Sequence, residues 1–176
     1  MKSALHSIDN NILHTVQKLP DWLRPLMLTL TFIGEPLVLL TVLFVFSVYM
    51  FVTKQTVLAK VGIISAVLLL ISPVLKIFFQ RNRPEVVFAS ITQPKSYSFP
   101  SGHAYMSMLV LGLLTYLAAT RLSQPWSLLV IIVLATIIFG IGISRIYLGV
   151  HYASDVIAGW ALGAVVLIIV IKLSGI

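Results

Sequence analysis

Five long runs of apolar residues constrain the fold of this chain more than any other feature of its sequence. They cover about 36–52, 57–79, 102–119, 125–143 and 152–173. A helix needs roughly 20 apolar residues to cross the hydrocarbon core of a bilayer, with about 17 as a lower limit. Backbone groups in lipid must be paired within the spanning segments, so runs of this length form helices. The pattern predicts an all-α integral membrane protein, a bundle of five to six transmembrane helices.

Composition supports a membrane environment and narrows the partners. Of the 176 residues, 59% are hydrophobic and only 10% are charged, which is too apolar for a soluble domain. The net charge of +7 would suggest nucleic acid in a soluble protein. Here it fits basic residues facing anionic headgroups, or a site for an anionic substrate, and the two can coexist. We therefore expect a bilayer and no nucleic acid as partners. The absence of cysteine excludes disulfides and thiolate metal sites.

The N-terminal segment has a different pattern from the five runs. Apolar residues recur there at helical spacing and predict an amphipathic helix of about 12 residues; they are Ile8, Ile12, Leu13, Val16 and Leu19. Asp21 then precedes a short apolar piece, Trp22 to Ile33, which is too short to cross a membrane alone. We expect interfacial helices over 1–34, followed by a transmembrane bundle over 36–173, in one domain of 1–176. The alternative is that the two N-terminal pieces form a sixth, irregular span.

Six ionisable residues lie in or beside the apolar runs, where charges are costly. All fall near one set of helix ends; they are Lys76, Arg83, His103, Arg145, His151 and Asp155. Lys76 and Arg83 are seven positions apart, so both lie on one face if the second helix continues to Gln80 or beyond. The alternative for such basic residues is that they reach for headgroups, and we expect that ordinary role for Arg81.

The quartet Pro100-Ser101-Gly102-His103 opens the third run. A helix N-terminus presents unpaired N–H groups and a partial positive charge, which favour an anion. Glycine lets the backbone approach a ligand closely, and the serine hydroxyl adds a donor. The alternative is a plain helix cap with a solvated histidine.

A third group of polar residues stands in the stretch ISRIYLGVHYASDV. His151 and Asp155 are four positions apart at the start of the last helix, so one lies above the other. An aspartate bonded to one ring nitrogen fixes the tautomer and raises the basicity of the other nitrogen, as in an activated nucleophile or base. The alternative is an interfacial ion pair. Arg145 precedes a turn containing Gly149 and should point into the same volume. Together the three groups predict a phosphate pocket, and two histidines suit a two-step displacement.

These motifs resemble those of the type 2 phosphatidic acid phosphatase (PAP2) family, which shares its site with the vanadium haloperoxidases. The family pattern is Lys, six residues, Arg-Pro; then Pro-Ser-Gly-His; then Ser-Arg, five residues, His, three residues, Asp. Every fixed position is present here, at Lys76 to Pro84, Pro100 to His103 and Ser144 to Asp155. The resemblance covers about 80 residues and three motifs in the family's order.

The resemblance implies a role for each matched residue. His151 would attack phosphorus and form a phosphohistidine, Asp155 would orient it, and His103 would protonate the leaving oxygen and then activate water. The phosphate oxygens would be held by Lys76, Arg83, Ser101, Gly102 and Arg145. No metal or other cofactor is implied, and the five acidic residues of the chain are too widely spread to suggest one.

The resemblance also implies a lipid phosphate as substrate. Undecaprenyl diphosphate is favoured, with phosphatidylglycerophosphate, phosphatidic acid or lipid A as further candidates. The alternatives are a lipid phosphotransferase using the same histidine, or a non-catalytic protein that binds or transports lipid phosphates. The family usually places the site on the outer face of the membrane, and we expect the same here, in a bacterial inner membrane. The link between Arg83 and Pro100 is too short for a folded lid, so we expect a pocket that opens sideways to lipid.

Overall fold

The computed structural model describes residues 2–84 and 95–176, with side chains from residue 5 onward. Most of the link between Arg83 and Pro100 therefore lies outside the described residues. The described chain is helical, and its helices are α1 (Lys2–Gln17), α2 (Arg24–Ile33), α3 (Pro36–Val52), α4 (Thr56–Leu68), α5 (Ile71–Phe79), α6 (Gly102–Arg121), α7 (Trp126–Tyr147) and α8 (Ala153–Ser174). A 3₁₀ turn, Asp21–Leu23, precedes α2.

Four segments are long and apolar enough to cross a membrane: Thr56–Phe79, Gly102–Arg121, Trp126–Tyr147 and Ala153–Ser174. A fifth is obtained if α2 and α3, which meet at a bend of 51°, form one broken span. The predicted all-α integral membrane bundle is thus confirmed, and its five-span form requires this bent pair. The first predicted run forms α3 with the expected bounds, because Pro36 suits the first helical turn, where a missing N–H costs nothing.

Close packing explains the bend between α2 and α3. A Cβ added at Gly34 would lie 2.6 Å from Ile141 Cγ2 and 3.2 Å from the His103 ring. Only glycine lets the chain turn this close to α6 and α7. The bend therefore carries the next residue, Glu35, to the start of α6.

The second predicted run is not one helix. It divides into α4 and α5 at Leu69–Leu70, because Pro73 cannot donate the backbone hydrogen bond to residue 69 and its ring crowds that carbonyl. Tyr105 Oη donates a hydrogen bond of 2.6 Å to the Leu68 carbonyl oxygen, which pairs a group left free by the break.

Helix α6 packs closely against α8, and two glycines allow it. A Cβ at Gly159 would lie 2.6 Å from the Ser101 carbonyl oxygen, and one at Gly163 would lie 2.7 Å from that of Tyr105. Small residues four apart are a common way for membrane helices to approach. The Ser101 N–H also donates to the Asp155 carbonyl oxygen at 2.9 Å. This packing brings the start of α6 beside the start of α8.

Helix α1 packs on the same end of the bundle. Its Leu13 is 5% exposed and lies in a cluster with Ala104, Ile146 and Val156, while Ile8 on another face is 54% exposed. The helix is longer than the 12 residues predicted. Its position in the interface stays a prediction.

Candidate active site

One cavity of about 760 Å³ opens at the end of the bundle where α6 begins. Its walls contain six of the eight site residues predicted from the sequence: Lys76, Arg83, Gly102, His103, Arg145 and His151. The other two, Ser101 and Asp155, are buried directly behind this wall. The structure thus brings together residues from α5, α6, α7, α8 and the connections between them.

His151 lies in the connection before α8 and is only 1% exposed. Its Nδ1 is 3.4 Å from Asp155 Oδ2, and its Nε2 is 3.1 Å from Arg83 Nη1. Because a guanidinium can only donate, Nε2 acts as the acceptor and Nδ1 carries the hydrogen that faces Asp155. Burial, assisted by the charges of Arg145, Arg83 and Lys76, lowers the pKa of His151 well below its ordinary value. The ring is therefore neutral at pH 7, with the lone pair of Nε2 directed toward the cationic wall.

Asp155 is fully buried, and both of its oxygens are bonded. Oδ2 accepts a hydrogen bond of 3.0 Å from the Tyr152 N–H, at the start of α8, in addition to facing His151. Oδ1 accepts a hydrogen bond of 2.7 Å from Arg81 Nη1. A carboxylate at the N-terminus of a helix is favoured by the helix dipole. Asp155 is thus fixed from three sides with one oxygen toward the histidine.

Arg81 corrects a prediction. We expected it to reach for headgroups, but its guanidinium forms ion pairs of 2.7 Å with both Asp155 and Asp9. The expectation is wrong because the chain turns back at Gln80, which takes a left-handed conformation with φ of 47°. The turn directs Arg81 into the protein, between α1 and α8. The signal that could have shown this is Asp9, which lies on the buried face of α1. A buried carboxylate needs a cationic partner, and here that partner is Arg81.

The same turn changes the position of Arg83. Helix α5 ends at Phe79, so Lys76 and Arg83 do not share a helical face, as a longer helix would have required. Arg83 enters the cavity from the extended segment after the turn. Its Nη1 donates 2.7 Å to the Val150 carbonyl oxygen and its Nε donates 2.7 Å to that of Ser96. These bonds hold the guanidinium against His151, and burial lowers its pKa without removing its charge.

His103, in the first turn of α6, faces a residue that the sequence did not indicate as part of the site. Its Nε2 lies 3.3 Å from Glu35 Oε1. Glu35 stands at the bend between α2 and α3, and its side chain is 48% exposed. Nothing in the local sequence Gly34-Glu35-Pro36 indicates that this stretch meets α6.

Three buried polar atoms at the cavity have no hydrogen-bond partner among the residues that the structure describes. They are Ser72 Oγ, Ser101 Oγ and Arg145 Nε. Arg145, in the last turn of α7, uses its Nη1 to bond Thr31 Oγ1. Unpaired buried donors are costly, so a cluster of them marks a place where a ligand supplies acceptors. Ser72, which lines the cavity, is a second residue that sequence reasoning missed, although a serine beside Pro73 within an apolar run was the available signal.

The arrangement suits chemistry on a phosphate. A neutral histidine nitrogen faces a cavity with three cationic side chains, and the first turn of α6 adds N–H groups of the kind that bind phosphate. A second histidine, His103, lines the same cavity. Within 5–84 and 95–176, no group of three or more His, Cys, Asp or Glu side chains could hold a metal ion.

Comparison with known proteins agrees with this chemistry. The model of the PAP2 superfamily matches residues 56–175. Phosphatidylglycerophosphatase B of Bacillus subtilis is 31% identical over 85% of this chain and 74% of its own length. An undecaprenyl-diphosphatase of Sulfolobus acidocaldarius is 40% identical over 41% of this chain and 31% of its own length.

Solved structures give the same result. The crystal structure of a transmembrane PAP2-type phosphatidylglycerolphosphate phosphatase from Bacillus subtilis superposes with a TM-score of 0.83, at 29% identity, over 98% of this chain and 87% of its own. That of Aquifex aeolicus LpxE has a TM-score of 0.66 at 24% identity, over 92% of this chain and 93% of its own, which shows a shared fold. Because the family model covers α4 to α8 and a curated relative aligns along most of the chain, this protein is an integral membrane member of the PAP2 superfamily of phosphatases.

Proposed function

We propose that this protein removes phosphate from a membrane lipid through a phosphohistidine on His151. The observation that carries the proposal is the pairing of His151 with Asp155 at Nδ1 while Nε2 faces the cationic cavity. Nε2 attacks phosphorus, a P–N bond forms, and the bond from phosphorus to the lipid oxygen breaks. The positive charge that develops on the ring is stabilised by the buried Asp155 carboxylate.

His103 is proposed as the proton carrier. Glu35 Oε1 accepts a hydrogen bond from Nε2 of His103, and its negative charge favours the imidazolium form of this ring, in which both ring nitrogens carry a hydrogen. The imidazolium gives one proton to the leaving oxygen and becomes a neutral imidazole. Water then attacks the phosphohistidine, His103 takes the water proton, and the P–N bond breaks. Inorganic phosphate leaves and His151 returns to its neutral form.

Lys76, Arg83 and Arg145 are proposed to hold the phosphate oxygens, with the Ser101 hydroxyl and the Gly102 N–H. Lys76, Arg83, Gly102 and Arg145 support this proposal because they line the same cavity. Arg145 Nε and Ser101 Oγ are in addition buried without partners among the described residues, and donors fixed in this way need no rearrangement in the transition state. A Cβ at Gly102 would meet only Ser72 Oγ, at 3.4 Å, so the glycine leaves the cavity wall open for an oxygen.

For the lipid itself, we propose a phosphomonoester such as phosphatidylglycerophosphate, ahead of the undecaprenyl diphosphate that the sequence favoured. The relative named for the first substrate aligns over 85% of the chain, against 41% for the relative named for the second. Glu35 adds a physical reason. Cleavage of a diphosphate leaves a lipid phosphate whose negative charge lies on the departing group next to the Glu35 carboxylate, whereas cleavage of a monoester, with the proton from His103, leaves an uncharged hydroxyl at that point.

The test is release of inorganic phosphate by the purified protein from each of the two lipids, with a chelator present and no added alcohol acceptor. We expect release from both, faster from phosphatidylglycerophosphate, and none from His151→Ala. The matched control is His14→Ala, an exposed histidine of α1. A His151→Ala variant that retains its turnover would refute the mechanism. Formation of phosphohistidine without phosphate release would instead indicate a phosphotransferase.

We also propose that the site faces outward across a bacterial inner membrane. The chain has no cysteine, so single cysteines can report the two faces directly. Lys95→Cys lies beside the cavity, and Lys54→Cys lies between α3 and α4 at the opposite end. A membrane-impermeant maleimide should label the first variant and not the second in intact cells; the reverse pattern would refute the orientation.

A further inference from the structure

Arg81 and Asp9 form an extension of the candidate active site that the PAP2 motifs do not include. Asp9 Oδ2 lies 2.7 Å from Arg81 Nη2, and Arg81 Nη1 lies 2.7 Å from Asp155 Oδ1. Asp155 in turn faces His151. A continuous line of charged contacts thus runs from the first helix of the chain to the proposed nucleophile.

These contacts require a guanidinium. Two different nitrogens of Arg81 donate to two different carboxylates, and the planar geometry of the guanidinium fixes the angle between the two hydrogen bonds. The guanidinium carbon also lies 4.3 Å from the centre of the Tyr152 ring, which holds the plane of the guanidinium by a cation–π contact. A lysine, with a single ammonium, cannot reproduce both contacts in this plane.

Asp9 is itself held tightly. It is 1% exposed, and it accepts hydrogen bonds from the Ser154 N–H at 2.9 Å and from Ser154 Oγ at 2.6 Å. Burial alone would raise the pKa of Asp9, but the bonds from Arg81 and Ser154 together lower it below its ordinary value. The carboxylate is therefore charged at pH 7. It binds the first turn of α8 and Arg81 at the same time.

Arg81 does not touch the phosphate cavity. It lines a separate cavity together with Leu5 and Phe79, whereas Arg83, two positions later, lines the candidate active site. The contribution of Arg81 to catalysis must therefore pass through Asp155 and not through the phosphate.

We propose that Asp9 and Arg81 are positioning residues for the Asp155–His151 pair, so that docking of α1 on the bundle is required for turnover. The inference rests on the proposed function of His151. Without Arg81, the Asp155 carboxylate loses the contact that fixes Oδ1 and is held only at Oδ2, by the Tyr152 N–H and the His151 ring, so its plane can rotate relative to Nδ1. Without the Asp9 charge, the Arg81 guanidinium is held by only one carboxylate, that of Asp155.

The test compares kcat and KM for phosphatidylglycerophosphate in detergent micelles. We expect Arg81→Gln to lower kcat about 100-fold and Asp9→Asn about 10-fold, by analogy with the losses found when a residue that orients a metal ligand is removed. KM should change less than about threefold in both. Arg83→Gln, which removes a group facing phosphate, should raise KM. The matched control for Asp9→Asn is Asp21→Asn, an exposed acid of the same N-terminal segment.

Coupling gives a second measurement. The double variant of Asp9→Asn with Arg81→Gln should be no slower than Arg81→Gln alone, because Asp9 acts on Asp155 through Arg81. If Arg81→Gln is unstable in detergent, Arg81→Lys serves instead, with an expected loss of kcat of about 10-fold at unchanged KM.

Three results would overturn the inference: unchanged kcat in both single variants, a rise in KM equal to that of Arg83→Gln, or additive losses in the double variant. Each is distinguishable from failure of the proposed function. If the proposed function itself fails, His151→Ala, measured in the same assay, retains activity.

Discussion

The contact between α6 and α8 at Gly159 yields a prediction that links packing to catalysis. An alanine Cβ at this position would lie 2.6 Å from the Ser101 carbonyl oxygen, 3.0 Å from Ala104 Cβ and 3.1 Å from the Tyr105 nitrogen. Ordinary van der Waals contact begins at 3.4 Å, so the helices must separate by about 0.8 Å. The atoms met first are backbone and cannot turn aside. The displaced segment is the one that carries Ser101, Gly102 and His103.

The expected result follows from this displacement. A shift of about 1 Å between reacting groups can cost about 100-fold in rate, or ~2.7 kcal/mol of transition-state stabilisation. We therefore expect Gly159→Ala to lower kcat/KM for lipid phosphate about 100-fold, although residue 159 touches no substrate. The assay is phosphate release in micelles. Thermal unfolding in the same detergent establishes that the variant is folded.

Gly112 provides the matched control. It lies on α6 facing α8, and an added Cβ would meet only flexible side-chain ends, Leu167 Cδ2 at 2.8 Å and Met108 Sδ at 3.8 Å. These can move at low cost, so Gly112→Ala should keep activity within about threefold. The reasoning is refuted if Gly159→Ala is fully active, or if Gly112→Ala loses as much.

Three further predictions concern the cavity. Burial first, and then the charges of Arg145, Arg83 and Lys76, lower the pKa of His151, so the folded ring stays neutral as the pH falls through 6.5 while an unfolded histidine gains a proton. The free energy of unfolding should therefore decline below about pH 6.5. His151→Gln should reduce this dependence on pH in denaturant titrations. Ser72→Ala should raise KM about fivefold, for the loss of a hydrogen bond worth ~1 kcal/mol, whereas Ser65→Ala, another buried hydroxyl without a partner among the described residues but outside the cavity, should not. Glu35→Gln should increase the rate on undecaprenyl diphosphate relative to phosphatidylglycerophosphate about tenfold, or ~1.4 kcal/mol of relieved repulsion; an unchanged ratio of the two rates would contradict the role given to Glu35.

The sequence was informative where function depends on local spacing. His151 and Asp155 are one helical turn apart, and Ser101 to His103 open a helix, so their relations follow from helix geometry. The membrane-spanning segments follow from the length of the apolar runs. These local rules predicted which residues meet at one end of the bundle.

These local rules could not predict contacts between residues that lie far apart in the sequence. Asp9 meets Arg81 across 72 positions, and Glu35 meets His103 across 68, with no periodicity to connect them. The break between α4 and α5 was also missed, although Pro73 was a local signal for it, because the prediction rested on the length of the apolar run and not on the hydrogen bond that a proline removes. The position of Arg83 depended on the end of α5, and the left-handed Gln80 could not be read from the residue type.

Helix α5 carries Lys76 into the site, yet among its nine residues only Ser72 is buried. Its Ile77 lines the cavity and is 65% exposed, so on this side the candidate site and the exposed apolar surface of a membrane-spanning segment share a wall. A lipid whose phosphate occupies the proposed site can leave its tails in the bilayer throughout the reaction. The quantity that saturates such an enzyme is then the mole fraction of substrate in the membrane, and diluting the lipid phase with inert lipid slows turnover even when bulk concentration is constant.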